Sequence, residues 1–271
     1  HMSAPENTRP QPDRELLDIA DYCVGFKPSR QALAAASTSV MDTLACALDA
    51  LDFPECTKLL GPVVRGTIVP HGACVPGTAY ELDPAKAAFD FGAMIRWLDL
   101  NDTFTAAQGS HPSDNLAGIL MLGDHLSRSR SARGEGLLTM GDVLESLVKA
   151  YEIQGCIAIE NDFQQCAIDH PTLTRVAGSA VLTRMLGGTR EEIVNAVSNA
   201  WVDCSLAVVR HAPNTGWRKS WAAADASFNA VRLALMARAG EMGYPSVLTA
   251  KRYGFYEARF GGKPFRFQRP Y

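Results

Sequence analysis

The sequence lacks the short motifs that mark several common enzyme classes. It contains no GxGxxG or GxxxxGK(S/T) loop, no HExxH pair and no GxSxG turn. Nothing in it therefore favours a nucleotide-binding fold, a zinc protease or an α/β-hydrolase. Its 7 cysteines include no CxxC pair. This spacing predicts reduced thiols in a cytoplasmic compartment, with no metal and no iron–sulfur cluster.

Strong charge of one sign and long apolar runs are also missing. The 26 Lys and Arg residues nearly balance the 29 Asp and Glu residues, and the formal net charge is -3. This balance gives no global reason to expect a nucleic acid or an anionic membrane as partner. No apolar run reaches the roughly 18 residues that cross a bilayer, so we expect no membrane segment.

Helical periodicity dominates what is present. Apolar residues recur at helical spacing, sustained strand alternation is missing, and the fold class predicted is therefore all-α with many helices. Residues 55–82 are rich in Gly, Pro and Val and predict an irregular loop with at most short strands. The predicted helices cover residues 13–24, 30–51, 84–98, 116–126, 140–160, 172–185, 189–201 and 220–240.

The pattern divides the chain into three parts. Residues 1–12 begin with an apparent tag remnant, His1-Met2, and continue as a Pro-rich polar stretch, which predicts a flexible, unprocessed N-terminus. Residues 13–258 are expected to form the helical domain. Residues 259–271 contain the alternation Phe265-Arg266-Phe267, typical of an extended segment. Because the sequence stops there without a polar tail, we expect this segment to lead toward a second domain that the chain lacks.

The densest polar cluster lies between the helices predicted at 84–98 and 116–126. Asp99-Leu100-Asn101-Asp102-Thr103 is followed by His111-Pro112-Ser113-Asp114-Asn115. Because both flanking helices anchor this loop, its side chains can be held in fixed positions. Arg96 precedes the loop on an otherwise apolar helix. It either pairs with an acid or offers its guanidinium to a substrate carboxylate.

Two further interhelical loops carry titratable groups. One ends in Asp169-His170-Pro171, and the other holds Arg210, His211 and Lys219 around a Pro-Asn-Thr-Gly turn. Lys219 lies where a helix begins, and the helix dipole disfavours a cation there, which suits an acid–base role. The alternatives are a solvated surface loop and, for the histidines, structural positions at helix starts.

Seven short segments carry the most specific similarity to known proteins. They read AMIRWLD (93–99), NDT (101–103), HPSDNL (111–116), EIQGC (152–156), HAPNTG (211–216), RKSWAA (218–223) and FRFQRPY (265–271). From residue 13 to residue 271 the chain resembles the family that contains 2-methylcitrate dehydratase and cis-aconitate decarboxylase, with the dehydratase branch favoured. The resemblance implies a large all-α domain, a smaller α+β domain, an active site between them and a homodimer formed through the helical part.

The resemblance also implies which residues act. Matched motif by motif, the active-site positions are Asp99, Thr103, His111, His170 and Lys219. The implied reaction dehydrates the tricarboxylate 2-methylcitrate to 2-methyl-cis-aconitate, a step of propionate catabolism, without a cofactor. His111 and Lys219 are expected to transfer protons, and His170 to bind substrate or serve as alternate base. Asp99 and Thr103 are expected to orient these groups or to hydrogen-bond the leaving hydroxyl.

Charge alone makes Arg96, Arg210 and His211 candidates for binding the substrate carboxylates. Two alternatives stay open. A cis-aconitate decarboxylase would use the same residues to stabilise a carbanion after loss of CO₂. A catalytically silent helical dimerisation fragment is the other alternative, because the family's further Lys and His would lie beyond Tyr271.

Overall fold

Side-chain caps define where several of the helices begin. Thr139 and Thr189 each form a capping box, with Asp142 and Glu192 respectively, so that side chains satisfy the free N–H groups of the first turn. Asp83 accepts from Ala85 and Lys86 at the start of the helix that supports the polar cluster. These caps explain why several helix starts were predictable from sequence to within a residue or two.

The structure, a computed structural model, describes residues 9–271. The predicted all-α fold is confirmed. The helices are α1 (Arg14–Gly25), α2 (Arg30–Asp49), α3 (Pro54–Thr57), α4 (Pro84–Trp97), α5 (Leu116–Ala132), α6 (Met140–Glu160), α7 (Pro171–Met185), α8 (Arg190–Val202), α9 (Arg218–Arg238) and α10 (Phe255–Arg259). Short 3₁₀ turns cover Ala50–Asp52, Pro112–Asn115, Gln164–Cys166 and Ala207–Arg210.

Residues 55–82 are irregular, as predicted, apart from the end of α3 and two short strands. The strands β1 (Ala73–Cys74) and β2 (Glu81–Leu82) pair antiparallel, with Ala73 opposite Leu82. The helix α5 continues six residues beyond its predicted end at residue 126. Its last turns are polar, and polar residues on a solvent-facing surface do not stop a helix.

The core is built around α4, α7 and α9. Nearly every residue of α7 is buried, and two of its hydroxyl groups donate to carbonyls of the same helix: Ser179 donates to Val176 at 3.0 Å and Thr183 to Ser179 at 2.7 Å. Small residues allow α9 to lie close to both neighbours. A Cβ added at Gly92 would lie 2.9 Å from the Cα atom of Ala224.

The chain's last twelve residues fold back onto the helices. The Phe265 ring lies 5.2 Å from the Trp201 ring, within a buried aromatic cluster. Asn161 accepts from the Arg266 amide at 2.9 Å, and the Tyr271 hydroxyl donates to the Ile153 carbonyl at 3.0 Å. The segment is non-helical after α10, as predicted, and packs against α6. That it leads toward a second domain stays a prediction.

Two sequence expectations concern the rest of the chain. The sequence predicts a flexible N-terminus for residues 1–12. Residues 1–8 lie outside the described residues. Arg9, within the predicted stretch, donates to the Gly243 carbonyl at 2.5 Å. None of the helices within residues 9–271 is long and apolar enough to cross a membrane.

We expect Gly92→Val to lower the free energy of unfolding by about 1–3 kcal/mol, because the new side chain must push α9 away from α4. Gly136→Val is the matched control, since a Cβ at Gly136 meets nothing within 4 Å. It should change stability by less than about 0.5 kcal/mol. Urea unfolding of both variants checks this, and equal midpoints would contradict the close packing.

Candidate active site

Three interhelical connections, those that precede α5, α7 and α9, meet and bring most of the predicted site residues together. Lys219 lies just beyond the last of them, in the first turn of α9. The Lys219 ammonium lies 3.2 Å from the Asp99 carboxylate, and the His111 and His170 rings are 5.2 Å apart in an edge-on arrangement. Groups from distant parts of the sequence therefore share one cluster.

Asp99 lies between two cations. Its carboxylate contacts Arg96 at 2.6 Å and Lys219 at 3.2 Å, and its backbone takes the left-handed conformation with φ of 58°. Partial burial raises the pKa of Asp99, but the charge of Arg96 and the hydrogen bond from Lys219 outweigh it, so the pKa lies below its usual value. Asp99 is therefore anionic at neutral pH and holds the Lys219 ammonium in place.

Arg96 is buried, with its side chain only 3% exposed. It donates to Asn101 at 2.9 Å and lies 4.0 Å from Asp114. The structure shows that Arg96 pairs with acids, and its contact with a substrate carboxylate stays a prediction. Complete burial raises the pKa of Asp114 to about 7 despite the nearby Arg96 charge. The Arg96 Nε atom finds no hydrogen-bond partner among the described residues.

The contacts of His111 define its tautomer. Its Nδ1 atom lies 2.5 Å from the Asp102 carbonyl oxygen, which can only accept, so Nδ1 carries the proton and Nε2 holds a free lone pair. Burial lowers the pKa of His111, and the Arg96 charge lowers it further. His111 is therefore a neutral imidazole at pH 7 with one basic nitrogen available.

His170 precedes α7 and is 6% exposed. Neither ring nitrogen has a hydrogen-bond partner among the described residues. Burial, followed by the charges of Arg210 and Arg96, lowers its pKa well below the usual value. A buried imidazole with two unsatisfied nitrogens is costly, so these nitrogens are suited to a bound ligand or an ordered water.

Arg210 links two of the three connections. It donates to Asp169 at 2.6 Å and to the Lys219 carbonyl at 3.3 Å. Asp169 also accepts from the His170 amide at 2.9 Å. This pair therefore ties the start of α7 to the start of α9. Within the described part of the chain, the Arg210 Nη2 atom is buried without a hydrogen-bond partner.

Two predicted site residues lie apart from these contacts. Thr103 and His211 are exposed, and their side chains make no hydrogen bond to any described residue. Thr103 follows Asp102 and His211 follows Arg210 in the sequence. Their assigned roles, like those of the other site residues, stay predictions.

The sequence interpretation gave no role to several residues that hold the cluster. Asp102 accepts from the Ser113 amide at 3.1 Å and from the Ser113 and Tyr151 hydroxyls. Asp169 anchors Arg210. Asp102 stands in the first polar motif and Asp169 directly precedes His170, so their positions were visible. Tyr151 looked like one more apolar position of α6, and no pattern pointed to it.

No group of three or more His, Cys, Asp and Glu side chains within residues 9–271 is arranged to hold a metal ion. What the cluster offers instead is a neutral imidazole, a buried imidazole and an ammonium paired with a carboxylate. Together these groups can move protons and bind an anion.

The fold and the site together define a class of protein: an all-helical domain whose interhelical connections assemble a cluster of acidic and basic side chains. Within that class, residues 17–268 match the family model of the MmgE/PrpD N-terminal domain, and the chain belongs to this family. The predicted family is thereby confirmed.

The chain is similar to several curated relatives. It is 59% identical over 273 residues to the 2-methylcitrate dehydratase of Salmonella typhimurium and 60% identical over 269 residues to that of Cupriavidus necator. It is 51% identical over 269 residues to the mitochondrial 2-methylcitrate dehydratase of Yarrowia lipolytica. These alignments cover 98% to 100% of the chain but only 52% to 56% of each relative. The chain thus spans about half the length of the relatives it matches.

Because His170 is buried and neutral, we expect it to make stability fall in acid. Its pKa is depressed in the folded state, so below the unfolded value of about 6.5 the unfolded chain binds more protons. Stability from this group is present above that pH and is lost as the pH falls below it, by up to about 1.4 kcal/mol per pH unit. His111 adds to the trend in the same direction.

Urea unfolding between neutral and mildly acidic pH measures this slope. His170→Gln should flatten it, whereas His211→Gln, a change at an exposed histidine, should leave it unaltered. An unchanged slope in His170→Gln would show that His170 is not the buried neutral group described.

Proposed function

We propose that the chain is the helical part of a 2-methylcitrate dehydratase. It would act as a hydro-lyase that converts 2-methylcitrate to 2-methyl-cis-aconitate by acid–base elimination, with protein groups supplying both acid and base and no iron–sulfur cluster. The observation that carries the proposal is the convergence of His111, His170 and the Lys219–Asp99 pair. The names of the relatives at about 59% identity support the choice of substrate.

His111 is the candidate base. Elimination requires removal of a C–H proton next to a substrate carboxylate. The His111 Nε2 lone pair can accept that proton, because Nδ1 is engaged with the Asp102 carbonyl. Its lowered pKa keeps the imidazole unprotonated at neutral pH. A base positioned in this way contributes roughly 10²–10⁴ in rate. His170 would bind the substrate or replace His111 as base.

Lys219 is the candidate acid. The hydroxyl group on the neighbouring substrate carbon must leave as water, and the ammonium can donate the proton that this needs. Asp99 orients the ammonium from 3.2 Å, and Thr103 would hydrogen-bond the leaving hydroxyl. One proton is thus taken by His111 and one given by Lys219, which balances the loss of water.

The substrate carries three carboxylates, which need positive charge or hydrogen-bond donors. The unpartnered Nη2 atom of Arg210 and Nε atom of Arg96 are donors near the histidines, and the exposed His211 directly follows Arg210 in the sequence. We assign these three residues to substrate binding. The Asp99 and Lys219 side chains are 44% and 43% exposed. We propose that the remaining length found in the relatives covers this open side.

A homodimer formed through the helical part and a cytoplasmic location belong to the same proposal. They follow from the family resemblance and the cysteine usage, with no contact between copies to support them.

The test compares two proteins: the chain as printed, and a form that carries the remaining length of its relatives. Both are assayed with 2-methylcitrate, and with cis-aconitate as the alternative substrate, in the presence of a chelator. Ultraviolet absorbance reports the new double bond, and CO₂ release reports decarboxylation. Chelator-resistant dehydration by the longer form supports the proposal. CO₂ release favours the decarboxylase, and silence of a folded longer form favours a helical dimerisation module.

In the longer form, His111→Ala and Lys219→Ala should each lower kcat by roughly 10²–10⁴, since each removes one proton-transfer group. Lys251→Ala is the matched control, because this exposed lysine makes no ion pair within the described residues. Circular dichroism should show intact folds. Near-normal turnover of either site variant would contradict its assigned role.

A further inference from the structure

The carboxylate of Asp102 is held from two sides. One oxygen accepts from the Ser113 amide at 3.1 Å and from the Ser113 hydroxyl, and the other accepts from the Tyr151 hydroxyl. Three donors on one carboxylate fix its position far more tightly than a single contact would. The residue is thus clamped between the turn that precedes α5 and the middle of α6.

The same residue orients His111 through its backbone. The Asp102 carbonyl oxygen is the acceptor 2.5 Å from His111 Nδ1. A clamp on the side chain of Asp102 therefore also limits the rotation of its peptide group. The direction of the His111 ring, and of its free Nε2 atom, depends on where Asp102 is held.

Tyr151 is itself fixed by a neighbouring helix. Its hydroxyl lies 3.0 Å from the hydroxyl of Ser39 on α2. Burial and the nearby Asp102 charge raise the pKa of Tyr151 far above its usual value, so its hydroxyl keeps its proton and must donate. Because the Asp102 carboxylate can only accept, Tyr151 donates to Asp102 and Ser39 donates to Tyr151.

We propose that Tyr151 is a positioning residue for the base His111, acting through the carboxylate and the backbone carbonyl of Asp102. The catalytic part of this inference rests on the proposed function, whereas the physical coupling between Tyr151 and His111 does not. Two helices that contribute none of the predicted site residues, α2 and α6, thereby set the geometry of the base.

Other charged groups also surround His111. Arg96 approaches from α4, Asp99 from the connection after it, and His170 from the start of α7. Arg96 lowers the pKa of His111, and Asp99 and Asp102 raise it. The effect of Tyr151 on the pKa of His111 must therefore be measured in variants that keep Arg96, Asp99 and His170.

Tyr151→Phe removes only the hydroxyl group. The Asp102 carboxylate then loses one hydrogen-bond donor, its negative charge acts more strongly on His111, and the pKa of His111 should rise. Asp102→Asn removes that charge but keeps the backbone carbonyl, so the pKa of His111 should fall. Tyr22→Phe is the matched control, because the buried Tyr22 hydroxyl has no hydrogen-bond partner among the described residues. This control should leave His111 unaltered.

Two measurements decide the outcome. NMR titration of ring-labelled histidines, assigned with His111→Asn, reports the pKa of His111. Steady-state kinetics of the longer form against pH reports kcat, KM and the acid limb. For Tyr151→Phe we expect kcat to fall by roughly 10- to 100-fold with KM little changed, and the acid limb to move to higher pH.

Opposite shifts of the His111 titration in Tyr151→Phe and Asp102→Asn would support the coupling. Unchanged titration and acid limb in Tyr151→Phe, even with lower stability or lower kcat, would overturn it. If the longer wild-type form dehydrates nothing, the proposed function fails. The titration still decides whether Tyr151 governs His111.

Discussion

The close contact of α9 with α4 and α7 is the constraint on which the site depends. Gly92 lies against Ala224, and Gly178 faces Ala230 so closely that an added Cβ would come within 2.9 Å of the alanine methyl. Ala224 is five residues after Lys219, about 7.5 Å along a helix. The packing of small residues therefore fixes where Lys219 lies relative to Asp99.

The cluster is assembled at a cost in stability. His170, Asp114, Asp169 and Arg96 are buried polar groups, and each retains an atom without a hydrogen-bond partner among the described residues. Such groups destabilise a fold unless a ligand or water satisfies them. The loss is offset by the largely apolar core of α4, α7 and α9.

The arrangement also places the two groups proposed to transfer protons in different environments. His111 and His170 lie in surroundings that disfavour a positive charge, whereas the Lys219 ammonium lies 3.2 Å from the anionic Asp99 carboxylate. A neutral imidazole and a charged ammonium thus coexist at one pH within one cluster.

The sequence by itself determined the helical class, most helix limits and the three polar connections. It did so because caps such as Thr139 and Thr189, and the periodicity of apolar residues, act over a few neighbouring residues. Only the tertiary structure decided which groups meet. It paired Arg96 with Asp99, Arg210 with Asp169 and Tyr151 with Asp102, and it left His170 without a partner. These contacts join residues up to 49 positions apart. The distances between such residues depend on how helices cross, which no local pattern specifies.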